Sequence, residues 1–486
     1  MIDILASTCR RAIPERLREH LSWLKRRVLA QRARRVRSAL LNDTKVFLDS
    51  SDPPRKVFFI VLDCLRRDAL SLYGSERCTT PFLDSLVAER SSAIALRNFY
   101  GSSNWTYPAV ASMLSGLYPH HHGAIYTTRK RRFNEGQVPN KMRDDVILLP
   151  EVFEKLNYST YFASSNVVAF EAARGAFAQH YADPPRKEPG GLFQWIGRRA
   201  LRAPAKRQFF YCHDMTLHEP LMELPEPFDA FFDSNIGKLT DSGWEFKDGE
   251  VDFEDPEFRT YSYRRRLHYD RCLRWVDTCL ELLFDTLRRA HLLNECLFVI
   301  TADHGEEFWD HVEMEKGRFY DPSSWGIAHG HNFFQEAVHL PCIIWKNRLV
   351  EMLDDNVQDK LLSHVDLFNL VCHLSSVSGT WGDADGIDFG DPASEHPWVL
   401  AEDVGYGFEK KAVIRPPHKL LVSEGDGVKW LFNIEEDPHE QHPLDGPASV
   451  IDELSAALPQ EHVDTGAPME TRRRTLKKLR ELGYID

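Results

Sequence analysis

Apolar residues fall along this chain in short unbroken runs, separated by longer stretches in which they recur every three or four positions. Val57-Phe58-Phe59-Ile60-Val61-Leu62 is the clearest run and is bounded by charge on both sides, the pattern of a strand covered on both faces. Comparable runs lie at Gln208–Cys212, Cys296–Ile300 and Pro341–Trp345. Between them stand helical patterns, the longest from Tyr263 to about Ala290. Strands separated by helices predict an α/β fold with a mostly parallel central sheet flanked by helices. After about residue 375 the pattern gives way to Gly- and Asp-rich loops. Short runs at 397–401, 411–415, 418–423 and 428–432 then predict a small C-terminal antiparallel sheet. Glu470 to Leu482 reads as a basic helix, and no internal repeat is found.

Upstream, residues 14–41 read as a basic amphipathic helix. Pro14 suits a first helical position, and Leu17, Leu21, Leu24, Val28, Val36 and Leu40 share a face opposite Lys25, Arg26, Arg27, Arg34, Arg35 and Arg37. Such a helix can lie across an acidic domain, an anionic membrane surface or a partner protein. Ser50-Ser51-Asp52-Pro53-Pro54 reads as a linker. The expected division is an N-terminal helix and linker (1–50), a main α/β region (55–375), a small C-terminal subdomain (376–446) and a helical tail (447–486).

Composition narrows the class. Among 486 residues, 29 Phe and 11 Trp supply enough apolar surface to exclude disorder for the bulk of the chain. No apolar run approaches the ~18 residues that cross a bilayer. Residues 1–50 carry twelve Lys and Arg against five Asp and Glu, a net +7, so the remainder of the formal −13 is −20. A body that acidic argues against nucleic acid as its substrate. The nine cysteines form no C-x-x-C pair. With no secretory signal read at the N-terminus, they predict reduced thiols and a cytoplasmic protein, membrane-peripheral if the basic helix touches lipid.

In open α/β sheets, chemistry collects at the carboxyl ends of strands. The first apolar run ends in Asp63. The run at 208–212 leads to His213-Asp214, with His218 four residues on, and the run at 296–300 leads to Asp303-His304-Gly305-Glu306. His329 and His331 precede the next run. One Asp after a strand caps a loop; this many Asp and His on one rim read as a divalent metal site. Thr106 stands at the N-cap, or just before it, of a helix that Pro108 opens and Gly116 closes. A threonine there caps the helix for ~1 kcal/mol. Alternatively, it is a nucleophile beside N–H groups that hold a tetrahedral anion.

These segments resemble the sulfatase branch of the alkaline phosphatase superfamily over about residues 55–445. The resemblance is carried by Val61 to Leu70 with Tyr73-Gly74, Thr80-Pro81-Phe82-Leu83-Asp84, and the block from Thr106 to Pro119. It continues through Thr301 to Phe308, His329-Gly330-His331, Ser363-His364-Val365-Asp366-Leu367, Asp437-Pro438-His439-Glu440-Gln441 and the closing Leu479 to Ile485. It implies that superfamily's sheet architecture and a metal-dependent ester-cleaving enzyme. Two departures matter. Sulfatases carry formylglycine, made from Cys or Ser, in C-x-P-S-R, where this chain has Thr106-Tyr107-Pro108-Ala109-Val110. The second carboxylate of the sulfatase Asp-Asp pair is Cys64 here, which removes a calcium ligand, and Asp303 is followed by His304 where many calcium sulfatases carry Asn.

By this resemblance the chain is similar to the phosphodiesterases and phosphonate monoester hydrolases of the superfamily. It implies one divalent metal ion, Mn or Zn ahead of Ca, held by Asp63, Thr106, Asp303 and His304. Thr106 would form a covalent phospho-threonine with a small anionic ester, and His218 and His329 would carry the protons, with His331 a further candidate. Asp214-x-x-x-His218 has the spacing of a second metal site, which keeps a two-metal arrangement open. The competing readings are a sulfuric ester hydrolase lacking formylglycine, a phosphotransferase to an alcohol acceptor, and a non-catalytic scaffold. Trp105 and Tyr107 read as ring contacts for substrate or as core. Structural roles are expected for His120, His121, His122, Arg66 and Arg67.

Overall fold

The computed structural model describes residue 39 and residues 45–469, except 51–52, 129, 133–136, 174, 182–189, 241–243, 247–250, 321–324, 355 and 383. The helix expected over 14–41 (residue 39 apart) and the one expected over 470–482 lie outside the described residues.

Strands β1 (Lys56–Leu62), β2 (Ala93–Ala95), β3 (Ser159–Ser164), β4 (Gln179–Tyr181), β5 (Gln208–Asp214), β6 (Cys296–Thr301) and β7 (Cys342–Lys346) form one sheet in the order β2-β7-β6-β1-β5-β3-β4. β7 alone runs against the others, antiparallel to both β6 and β2. The chain leaves β6 at Thr301, loops at that rim and re-enters opposite it at Cys342, so the run read at 341–345 has to travel back. Helices α1 (Pro81–Ala88), α2 (Thr106–Ser115), α3 (Leu149–Lys155), α4 (Val167–Ala173), α5 (Gly191–Arg202), α6 (Pro256–Arg289) and α7 (Asp366–Leu374) surround it.

The apolar runs become strands because both of their faces are covered. Every residue of β1, β5 and β6 is buried. Phe58 stacks between Phe210 and Phe298 at 5.0 and 4.6 Å, and Phe284 of α6 covers Phe298 at 4.1 Å. Side chains alternate along a strand, so the neighbouring ring Phe59 meets Tyr211 at 5.8 Å on the other face. There Tyr211 meets Phe162, which Phe170 of α4 covers at 5.6 Å. Each fully buried Phe is worth roughly 1.5–3 kcal/mol. The long helix α6 starts where Asp255 accepts a bond from the Glu257 N–H and Pro256 fills the first turn.

Four antiparallel strands, β8 (Val399–Glu402), β9 (Lys411–Arg415), β10 (His418–Ser423) and β11 (Val428–Asn433), make the separate small sheet. Its Val399, Ala401, Ile414, Leu421 and Phe432 pack with Phe333 and Phe334, which anchors the segment just after His329 and His331. Val377–Gly379 pairs with Val46–Leu48. All cysteines among the described residues are free, and no described helix is long and apolar enough to cross a membrane.

Candidate active site

Three adjacent parallel strands, β6, β1 and β5, deliver the acidic end of the site. Asp63 directly follows β1, His213 lies near the end of β5, and Asp303 and His304 come just after β6. The Asp63 N–H donates to the Asp214 carbonyl at 2.9 Å, which fixes the turn out of β1. Asp63 Oδ2 accepts from Asn166 Nδ2 at 2.7 Å and lies 2.9 Å from His213 Nε2. His304 Nε2 lies 3.6 Å from Asp63 Oδ1, 3.3 Å from Asp303 Oδ2 and 3.3 Å from Thr106 Oγ1. The four groups Asp63, Thr106, Asp303 and His304, far apart in sequence, therefore meet in one buried spot.

Thr106 is the first residue of α2, one position inside the helix, with Trp105 extended before it. Gly116 ends the helix in the left-handed region at φ 73, where a Cβ would be strained. The hydroxyl so stands at the positive end of a ten-residue helix. Asn166 fixes its neighbourhood: its Oδ1 accepts the Val168 and Ala169 N–H groups that open α4, which aims Nδ2 at Asp63 and, at 3.5 Å, at Thr106 Oγ1.

The electrostatics fit a cation. Burial alone would raise the Asp63 carboxyl, but His218 and His213 hold it well below the usual carboxylate range. Burial and the nearby Asp63 charge push Asp303 up. Burial lowers His304, whereas His213, also buried, is raised by Asp303 and Asp63. Asp303 Oδ2 is buried without a hydrogen-bond partner. Two fully buried carboxylates, one with an oxygen that accepts no hydrogen bond, beside an imidazole nitrogen and a hydroxyl form a donor set that suits a divalent ion.

On the other side of Asp63, the rings of His218 and His329 lie 5.2 Å apart, and His329 stacks on His304 at 4.2 Å. His218 Nδ1 is 2.6 Å from the Glu219 carbonyl, so that nitrogen carries a hydrogen. Both oxygens of Glu306 lie 3.3 Å from His329 Nδ1. Burial opposes charge on His329, yet Glu306 raises its pKa. Glu307 pairs with Ala328; the same antiparallel register carried one residue further sets Glu306 opposite His329. Cys64 Sγ lies 3.4 Å from Asp63 Oδ1 and 3.6 Å from His329 Nδ1. Burial, then the Glu306 and Asp63 charges, push this thiol up.

Two sequence candidates stand apart. Asp214 Oδ1 accepts the Thr216 N–H at 3.0 Å, closing its own turn, and none of the described clusters close enough to share an ion includes it. The groups near His218 and His329 come instead from Cys64. His331 points into a second cluster, with Nε2 2.9 Å from Glu307 Oε2 and 3.3 Å from Glu315 Oε1. His120, His121 and His122 bond Glu402, Asp385 and Ser112. Arg66 pairs with Asp68 and Asp310, and Arg67 lies over the Tyr73 ring at 4.0 Å. Trp105 and Tyr107 are buried, and Trp105 Nε1 donates to the Asp403 carbonyl at 2.7 Å. Sequence reasoning placed His213 and Glu306 at their strand ends without giving either a role, and missed Asn166.

Solved structures share this fold. BT1596, described as a 2-O GAG sulfatase, is 17% identical over 84% of this chain and 90% of its own, with TM-score 0.59. The phosphonate monoester hydrolase of Agrobacterium radiobacter is 15% identical over 86% and 100%, with TM-score 0.57. The C-terminal periplasmic domain of EcEptC from Escherichia coli, in complex with Zn, is 16% identical over 73% and 92%, with TM-score 0.51. A search of the curated proteins finds no match. Residues 55–377 match the family described as Sulfatase, and this span takes in both the strand-end carboxylates and the Thr106 helix. The chain is an enzyme of the sulfatase and alkaline phosphatase superfamily and belongs to the Sulfatase family.

Proposed function

We propose that this enzyme hydrolyses phosphate diesters or phosphonate monoesters through a covalent phospho-threonine on Thr106. The observation that carries the reading is a threonine hydroxyl, which formylglycine chemistry cannot use, lying 3.3 Å from His304 Nε2 at the start of α2. Asp63, Thr106, Asp303 and His304 would hold one divalent ion, manganese or zinc given the imidazole. That ion supplies a lowered hydroxyl pKa and a polarised ester oxygen.

Thr106 Oγ1, its proton released to solvent, attacks phosphorus as the bond to the departing alcohol breaks in line. The N–H groups at the start of α2 face the anion. His329, whose pKa Glu306 raises against the effect of burial, gives its proton to the leaving oxygen. Water then attacks the phospho-threonine while His218 Nε2 takes its proton, and the phosphorus–Oγ1 bond breaks, the oxygen taking a proton from solvent to regenerate the hydroxyl. The reduced thiols expected from the sequence favour a cytoplasmic setting.

Turnover of matched aryl phosphodiester, aryl phosphonate and aryl sulfate substrates tests this, with mass spectrometry of the rapidly quenched enzyme for an adduct that keeps the undeparted ester or phosphonate substituent on the peptide containing Thr106. Strong preference for the sulfate ester would reverse the assignment in favour of sulfate hydrolysis without formylglycine.

A further inference from the structure

Cys64 stands where it was first read only as a lost carboxylate. Its backbone adopts φ 60, in the left-handed region, which non-glycine residues enter rarely. The side chain is fully buried. Its sulfur, an oxygen of Asp63 and a nitrogen of His304 all lie within 4.8 Å of one another. Beside them the buried Asp303 Oδ2 has no hydrogen-bond partner. A neutral thiol is a weak donor that does little for two buried carboxylates, whereas a thiolate on a shared cation would join them in one coordination set.

We propose that the Cys64 sulfur is a ligand of the cation held by Asp63, Asp303 and His304, making this a thiolate-bearing site selective for zinc-class ions over calcium. Binding replaces the S–H bond with a sulfur–metal bond and releases the proton to solvent, with no redox change. Mixed sulfur, nitrogen and oxygen donors select softer ions, and calcium takes oxygen ligands. The proposal rests on the cation site of the proposed function but not on the substrate assigned there.

Cobalt(II) titration of the chelator-stripped full-length protein reads the sulfur directly. A thiolate-to-cobalt charge-transfer band in the near ultraviolet should saturate together with the visible d–d bands at one equivalent per chain. In Cys64→Ser the charge-transfer band should vanish, and half-saturation should need at least about tenfold more cobalt. X-ray absorption of the zinc-loaded wild type, which needs no variant to fold, should contain one sulfur at ~2.3 Å. A loaded wild type with neither sulfur signal, or a band that survives in Cys64→Ser, overturns the ligand assignment. Two equivalents of cobalt would overturn both readings, since Cys64 is the third group of the His218 and His329 cluster. The proposed function fails separately: absence of phosphodiester turnover would remove the substrate without touching the sulfur signature.

Discussion

Glu306 and Glu307 are adjacent in the chain, and His329 and His331 nearly so, yet the two Glu–His pairs enter buried clusters of opposite character. In the cluster around His331 all four carboxylate oxygens of Glu307 and Glu315 meet donors. Glu307 Oε1 accepts the His311 N–H, and Oε2 accepts from Asn332 Nδ2 and faces His331 Nε2. Glu315 accepts from Asn332 Nδ2 and from the Gly326 N–H. In the reactive cluster Asp303 keeps an oxygen that accepts no hydrogen bond and Asp63 adds a second buried charge. Burial and residue type are the same in both. The supply of N–H donors separates a self-neutralised brace from a pocket that needs a cation.

Substitutions that strike one cluster and spare the other sharpen this difference. Thr106→Ala should lower phosphodiester kcat at least about a thousandfold, since a nucleophile acts as a unit with its partners, while thermal unfolding stays close to wild type. His331→Ala should do the reverse. It leaves Glu315 and Glu307 without their cation, at a cost of about 3–5 kcal/mol in denaturant unfolding, with metal content per folded chain unchanged by elemental analysis. Chelation should abolish turnover and remove about 2.7 kcal/mol of stability relative to protein in hundredfold excess of ion over its dissociation constant, read as a shift in melting temperature.

A smaller effect is a pH slope. Burial disfavours charge on His331, but Glu315 and Glu307 push it up to about 10, and burial with Glu315 raises Glu307 to about 8. Both folded-state values exceed the unfolded ones. The His331 contribution is therefore complete below about pH 6.5 and is lost as pH rises towards 10; the Glu307 contribution fades on the way to 8. Melting temperature should fall across that window, and His331→Gln should flatten the imidazole part of the fall. Least of all, His121→Ala breaks a half-exposed pair with Asp385 and should cost under about 1 kcal/mol with no change in turnover.

Much of this was visible before the fold was known. The runs that became β1, β5, β6 and β7 could be read because strands buried on both faces need no alternation, and their ends pointed to Asp63, Asp303 and His304. The direction of β7 was not readable, since it depends on where the preceding loop re-enters the sheet. His213 was passed over for Asp214 for a similar reason. In parallel register Val61 faces His213 and Leu62 faces Asp214. Asp63, two residues after Val61, shares its side of the sheet, and so His213 meets it while Asp214 turns away. Pairing register is a long-range property, and a one-residue shift inverts it. Asn166 was missed because β3, rich in Ser, Thr and Tyr, lacks an unbroken apolar run. Glu306 was quoted within a motif without a role, since its partner His329 arrives only through the hairpin.

That hairpin, Glu307–Phe308 against Ile327–Ala328, constrains how the surrounding chain can evolve. In the segment between its strands, latitude to lengthen or shorten is confined to stretches away from His311, Glu315 and Gly326, which complete the brace. The alignment of the two short strands has no such latitude. A slip by a single residue would set Glu307 opposite His329 and turn Glu306 toward the brace, exchanging the partners of the two histidines in one step. Natural variants of this enzyme should therefore tolerate insertions at the hairpin tip and be purged of them at its base.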